Sequence, residues 1–187
     1  MKQENIYRLL IATLIMTSGA FGMLWNSEKK ELESKKDSMT EVLYNDIEQI
    51  GTQLLISAEV LGEYEEGFTE KEQILFEQSL RSDGKVISQL GENSQHIIEQ
   101  LEVENRAIQE VDEKYFSTIE QSILLTADGK VTDQAKIGEL QAILREYGNR
   151  LTQFFDQSEQ KEIIQNPDNQ EQFIKILTDL ESELVAW

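Results

Sequence analysis

The chain has 187 residues, 36 Asp and Glu against 17 Lys and Arg, one His, one Pro and no Cys, for a net charge of −19 at pH 7. So acidic a chain is repelled by nucleic-acid phosphates and by anionic lipid, which argues against nucleic acid as a partner. The absence of Cys removes disulfides, thiolate metal sites and lipidation of an N-terminal Cys, and one His is too few for the helical-bundle di-iron set, which takes a Glu-x-x-His from each of two helices.

Residues 1–5 form a short N-terminal tail, and residues 6–25 are the membrane-directed stretch: Arg8 is its one charge, and a mainly apolar run extends from Leu9 to Trp25. A spanning helix needs about 20 such residues, so the run is just long enough with Ile6 and Tyr7 added. Trp25 then falls at the far interface, while Arg8 can snorkel to the near one. The same residues also read as a signal peptide, with Lys2 and Arg8 as the basic region, Leu9 to Thr17 as its apolar core and Ser18-Gly19-Ala20 as the cleavage site. Continuation of the apolar run through Phe21 to Trp25, past that cut, favours an uncleaved signal-anchor. Lys29, Lys30, Lys35 and Lys36 outnumber Lys2 and Arg8 across the span, but they are interleaved with Glu28, Glu31, Glu33 and Asp37. The short tail before a first hydrophobic segment therefore sets the expectation: N-terminus inside, C-terminal domain extracytoplasmic, in a single-pass protein of the cell membrane. Ser18 and Gly22 lie four apart on one face of the span, a small-xxx-small pair through which membrane helices pack.

Residues 26–187 are expected to form one acidic extracytoplasmic domain. Strand-period alternation is missing and Pro and Gly are few, so the fold class is all-α: a transmembrane helix followed by an antiparallel bundle of four to five long amphipathic helices. The first should run from about Ser27 to Gly62, with Met39, Leu43, Ile47, Ile50, Leu54, Ala58 and Leu61 on one face. Thr69 and Glu72 make a capping box that starts a second helix. Its apolar seam passes through Phe76, Leu80, Ile87, Leu90, Ile97, Leu101, Ile108, Val111 and Tyr115 toward Thr126, interrupted by Asp83-Gly84 and by Gly91-Glu92-Asn93-Ser94. An unbroken helix from Glu70 to Thr126 would be ~85 Å long and would return into the bilayer, so a break or sharp kink is expected between Ser82 and Ser94. Ala127-Asp128-Gly129-Lys130 is the next turn, and Thr132 is the expected cap of a helix carrying Ile137, Leu140, Leu144, Tyr147, Leu151, Phe154 and Phe155. Asn166 caps the last helix with Pro167 at its first position, and Phe173, Leu177, Leu180, Leu184 and Trp187 step along it like coiled-coil knobs.

Chemistry is sparse in this pattern. His96 stands four residues after Glu92 with no second His, and reads as a surface or bundle-edge residue. Asp128-Gly129 matches part of a calcium-binding loop, but Leu124 and Ala135 occupy the positions that should carry carboxylates. Nucleophile elbows and phosphate loops are missing, so no catalytic, cofactor-binding or metal-binding residues are expected, nor enzymatic activity. The expected function is an extracytoplasmic interaction or scaffold module, acting on a protein partner through a helical groove or through self-association. The layout is also similar to the extracytoplasmic four-helix domains of chemoreceptors and sensor kinases, which implies ligand sensing. With no second span before Trp187, such sensing would signal through a partner, and nothing in the pattern identifies a small-molecule ligand. Cleavage near Ala20 would instead release a secreted bundle. Residues 41–187 hold 31 acids and 11 bases, and salt screens their mutual repulsion with a Debye length of about 10 Å at 0.1 M. The melting temperature is therefore expected to rise with sodium chloride. A sharp rise with calcium alone, and none with sodium chloride, would mark a specific cation site instead.

Overall fold

The computed structural model describes residues 2–65, 67–101, 111–157 and 166–187, with side chains described from Trp25 onward except at 112, 113 and 157. All secondary structure among the described residues is helical: α1 (Lys2–Gly62), α2 (Glu70–Gln100), a π turn (Asp112–Phe116) leading into α3 (Ser117–Ala127), α4 (Gln134–Gln157) and α5 (Pro167–Ala186). The chain comprises two compact units, Met1–Ser38 and Met39–Trp187. The expected span at 6–25, with Ser18 and Gly22, falls almost wholly on side chains outside the described residues. Among those that are described, no helix is long and apolar enough to cross a membrane.

The first unit is helix alone, and Lys29 Nζ lies 3.8 Å from Glu33 on its exposed face. In the second unit α1 presents the predicted stripe: Leu43, Ile47, Ile50, Leu54, Ala58 and Leu61 are all buried, while Met39 is half-buried. The chain turns back through Gly67, whose φ of +109° is open to glycine at little cost. The Thr69 hydroxyl then accepts from the Glu72 amide while the Glu72 carboxylate accepts from the Thr69 amide at 2.8 Å, closing the predicted capping box.

The expected break between Ser82 and Ser94 is absent. α2 runs without interruption to Gln100, and of the residues taken for turn chemistry Asp83, Gly84, Gly91 and Ser94 are buried while Glu92 and Asn93 are exposed. Gly84 faces α3, where an added Cβ would sit 3.4 Å from Leu124, and Gly91 is buried. Glycine at position 84 leaves room for the Leu124 side chain of α3. The buried seam also shifts phase late in α2, so that Ile98 is sealed off and Ile97 only half-buried. Ile108 lies outside the described residues.

α3 ends as predicted, with Gly129 at φ +66° accommodating the turn. The cap of α4 is one residue later than expected. Asp133 Oδ1 accepts from the Ala135 amide at 2.8 Å, whereas the Thr132 carbonyl is taken by the Tyr64 hydroxyl at 3.2 Å. Asp outcompetes the neighbouring Thr because its carboxylate accepts from two successive free amides, Ala135 and Lys136. Asn166 caps α5 with Pro167 at its first position.

Successive contacts run in opposite senses along each pair of helices, so neighbours are antiparallel. Gln53 meets Asp83 and Tyr64 meets Phe76 between α1 and α2. Tyr147 meets Glu183 and Arg150 meets Asp179 between α4 and α5. At the end of that pair the Trp187 indole donates to the Lys136 carbonyl at 2.7 Å, and Lys136 Nζ donates to the Trp187 carbonyl at 2.7 Å. Between α1 and α4 the backbones touch: a Cβ on Gly148 would lie 2.9 Å from the Gly51 carbonyl oxygen and 2.8 Å from Leu55. Gly138, on the same helix, has nothing within 4 Å of that position. Gly148→Ala should therefore destabilise, because an overpacking cost of about 1–3 kcal/mol outweighs the ~1 kcal/mol gained in helix propensity. Gly138→Ala should stabilise by up to about 1 kcal/mol. Urea unfolding of the two variants checks this, and changes of the same sign in both would place the α1–α4 crossing elsewhere.

Candidate interaction surface

Among the described residues, Ser57 on α1 and Asp83 on α2 form a buried polar contact, and Ser122 and Thr126 are buried on α3. Asp83 is only 9% exposed; its Oδ1 accepts from Gln53 Nε2 at 2.8 Å and its Oδ2 from Ser57 Oγ at 3.3 Å. Ser57 Oγ also lies 3.0 Å from the Gln53 carbonyl. A hydroxyl has one hydrogen, so it cannot serve both acceptors at full strength. The neighbouring cation gives Asp83 no relief, since Arg81 is turned to Asp128 at 2.7 Å and to the Ala127 carbonyl at 3.2 Å. Burial accordingly raises the Asp83 carboxyl above the usual range, against the opposing pull of its bonds from Ser57 and Gln53. In its protonated form Asp83 can donate to Ser57 Oγ, freeing the Ser57 hydrogen for the Gln53 carbonyl.

A second polar line joins α4 and α5. Asp179 takes Lys175 at 2.9 Å and Arg150 at 3.1 Å, and these bonds, Lys175 foremost, hold its carboxyl below the usual range. The Tyr147 hydroxyl donates to Glu183 Oε1 at 2.9 Å, and burial together with that carboxylate pushes the phenol up to about 12. A groove of about 320 Å³ beside this line is walled by Arg150, Gln153, Phe154, Gln172, Lys175 and Ile176. Its two cations are already committed to Asp179, so it offers no free positive charge to an anion.

The outer side of the α1–α2 turn is different in kind. Val60, Glu63, Phe68, Glu72, Leu75, Phe76 and Ser79 line an open groove of about 260 Å³. Two aromatic rings line it, Phe68 and Phe76, and they meet each other and Tyr64 with ring centroids 5.3 to 5.9 Å apart. Its rim is acidic, and the bonds from Thr69 lower the Glu72 carboxyl, keeping it ionised. Leu75 is 54% exposed and Ile74 46%. Sequence reasoning followed only Phe76 here. The signal it passed over is the run Ile74-Leu75-Phe76, since three consecutive apolar residues cannot all face one core from a single helix.

His96 is exposed and contacts Gln100 one turn on. The part-match to a calcium loop resolves into a salt-bridged turn, with Asp128 held by Arg81 and by Lys130 at 3.5 Å. Among the described residues no cluster of His, Asp and Glu is placed to hold a metal ion.

The buried carboxylate sets a pH dependence. A folded-state pKa above the unfolded value means that the folded chain binds the extra proton, so stability present at low pH is lost as pH rises through the raised pKa of Asp83. Asp83→Asn removes that charge and should raise the melting temperature at neutral pH. The gain should shrink toward zero as pH falls through the window between the raised value and the ordinary carboxylate value. A variant less stable than the parent at neutral pH would mean that the ionised carboxylate contributes net stability through its two hydrogen bonds.

No family model, no curated protein and no solved structure matches this chain. Its function is argued from its own surface.

Proposed function

We propose that this chain is a single-pass, membrane-held interaction module, non-catalytic, with residues 6–25 as an uncleaved anchor and residues 26–187 as an acidic antiparallel helical bundle on the extracytoplasmic side. The observation that carries the reading is the open apolar groove at the α1–α2 turn, which Phe68 and Phe76 also line and where Leu75 stays 54% exposed. Apolar side chains grouped over a pocket and rimmed by charge are the pattern of a surface that another protein covers. At about 260 Å³ the groove is smaller than the ~300–1,000 Å³ of small-molecule pockets, which suits partner side chains better than a whole ligand.

Support for the anchor comes from the sequence: seventeen mainly apolar residues from Leu9 to Trp25, a basic residue before them and Trp at the far end. Ser18 and Gly22 give the span a face able to pack against another membrane helix. Placement and processing are read together by fractionating cells, measuring the intact mass and treating intact cells with external protease. The full 187-residue mass in the membrane fraction, with the acidic domain digested from outside, is the expected result. A soluble protein lacking about the first twenty residues, the span of a typical signal peptide, would make it a secreted bundle. Protection of the acidic domain would reverse the orientation.

A further inference from the structure

The groove is one end of a longer apolar seam. Val60, Leu75 and Ser79 line it together. Ile56, 42% exposed, precedes Val60 by one helical turn, and Val86, 37% exposed, follows Leu75 by eleven residues, three turns and so nearly the same face. Leu75, Val60, Ile56 and Val86 therefore continue along one side of the α1–α2 pair for about 16 Å, the rise of eleven helical residues. Such a seam matches an amphipathic helix laid in a groove, with anchors on successive turns.

Charge selects the kind of helix. Residues 59–80 contain seven acids and one base, Lys71. Glu63 and Glu72 stand at the groove itself. Farther along α2, Arg81 is bound to Asp128. A second copy of this chain would bring like charge against like charge, which costs affinity.

We propose, resting on the interaction-module reading, that the α1–α2 seam docks an amphipathic helix of a partner protein whose apolar stripe fills the Val60–Leu75 groove and whose Lys or Arg residues meet Glu63 and Glu72. Lys85 neighbours Val86 at the other end of the seam, so the partner's cations belong at its Leu75 end. The partner is a basic helix, and the contact couples desolvation of the seam to neutralisation of the rim.

The test uses the full chain in phosphatidylcholine nanodiscs, with empty discs as the blank, and two fluorescein-labelled helical peptides read by anisotropy. Both carry Leu at i, i+4, i+7 and i+11; one is flanked by Lys and the other by Glu. The Lys peptide should bind at least tenfold more tightly than the Glu peptide. Leu75→Asp should weaken it at least tenfold, although that change adds a negative charge and would strengthen any purely electrostatic association. Val185→Asp makes the same change at a residue 73% exposed on α5, and should leave binding unchanged or slightly tighter. Glu63→Lys should weaken binding at least threefold at low salt, with helical circular dichroism retained in all variants. Unaltered binding in Leu75→Asp, or equal loss in Val185→Asp, overturns the assignment. Tighter binding of the Glu peptide, or self-association abolished by Leu75→Asp, overturns the basic partner while leaving a docking surface in place. If neither peptide binds and the chain stays monomeric, the interaction-module reading falls as well.

Discussion

Gly51 and Gly148 bring the backbones of α1 and α4 into contact, and the rest of the second unit is arranged around that approach. Two helices this close leave no room between them for side chains, so their large residues are displaced to either side of the crossing. Leu151 packs against Gly51, and farther along Tyr44 meets Phe155 edge to face with ring centroids 4.8 Å apart. On its other side α4 is paired with α5 through Arg150 and Asp179.

The same principle explains α2. Gly84, Gly91 and Ser94 form a line of small residues inside a helix that local propensity alone would have weakened, since glycine costs about 1 kcal/mol relative to Ala at such a position. At Gly84, close packing against Leu124 of α3 offsets that cost. Asp83 sits in this line as a carboxylate held by Gln53 and Ser57 rather than by a cation. An arrangement of that kind specifies the register of α1 on α2, because sliding either helix by a turn would strand the charge without donors.

Much of the fold was legible in the sequence because the buried residues recur at helical spacing. The faces of α1, α4 and α5 and the caps at Thr69 and Asn166 depend on residues a few positions apart, and local chemistry settles them. What was not legible depends on contacts between distant residues. Asp83-Gly84 carries the local signature of a turn, and only the presence of Ser57 and Leu124 on facing helices makes it a packing element. Thr132 and Asp133 are both credible caps; the Asp133 carboxylate takes two amides, and Thr132 instead offers its carbonyl to Tyr64, sixty-eight residues away. The groove was missed for a related reason: following one seam assigns each apolar residue to the core, whereas Leu75 belongs to a second stripe facing outward.

The closing of α5 on α4 gives the molecule a means of reporting on itself. Trp187 shares two hydrogen bonds with Lys136, whose Nζ stands 5.8 Å from the centre of the indole ring, so its emission responds when the end of α5 lifts from the start of α4. Trp25 is 67% exposed and belongs to the other unit, Met1–Ser38. These are the two tryptophans of the chain. Replacing either with Phe leaves a single tryptophan in one unit, and excitation at the red edge, where tyrosine does not absorb, separates the signals of the two units without attaching a label.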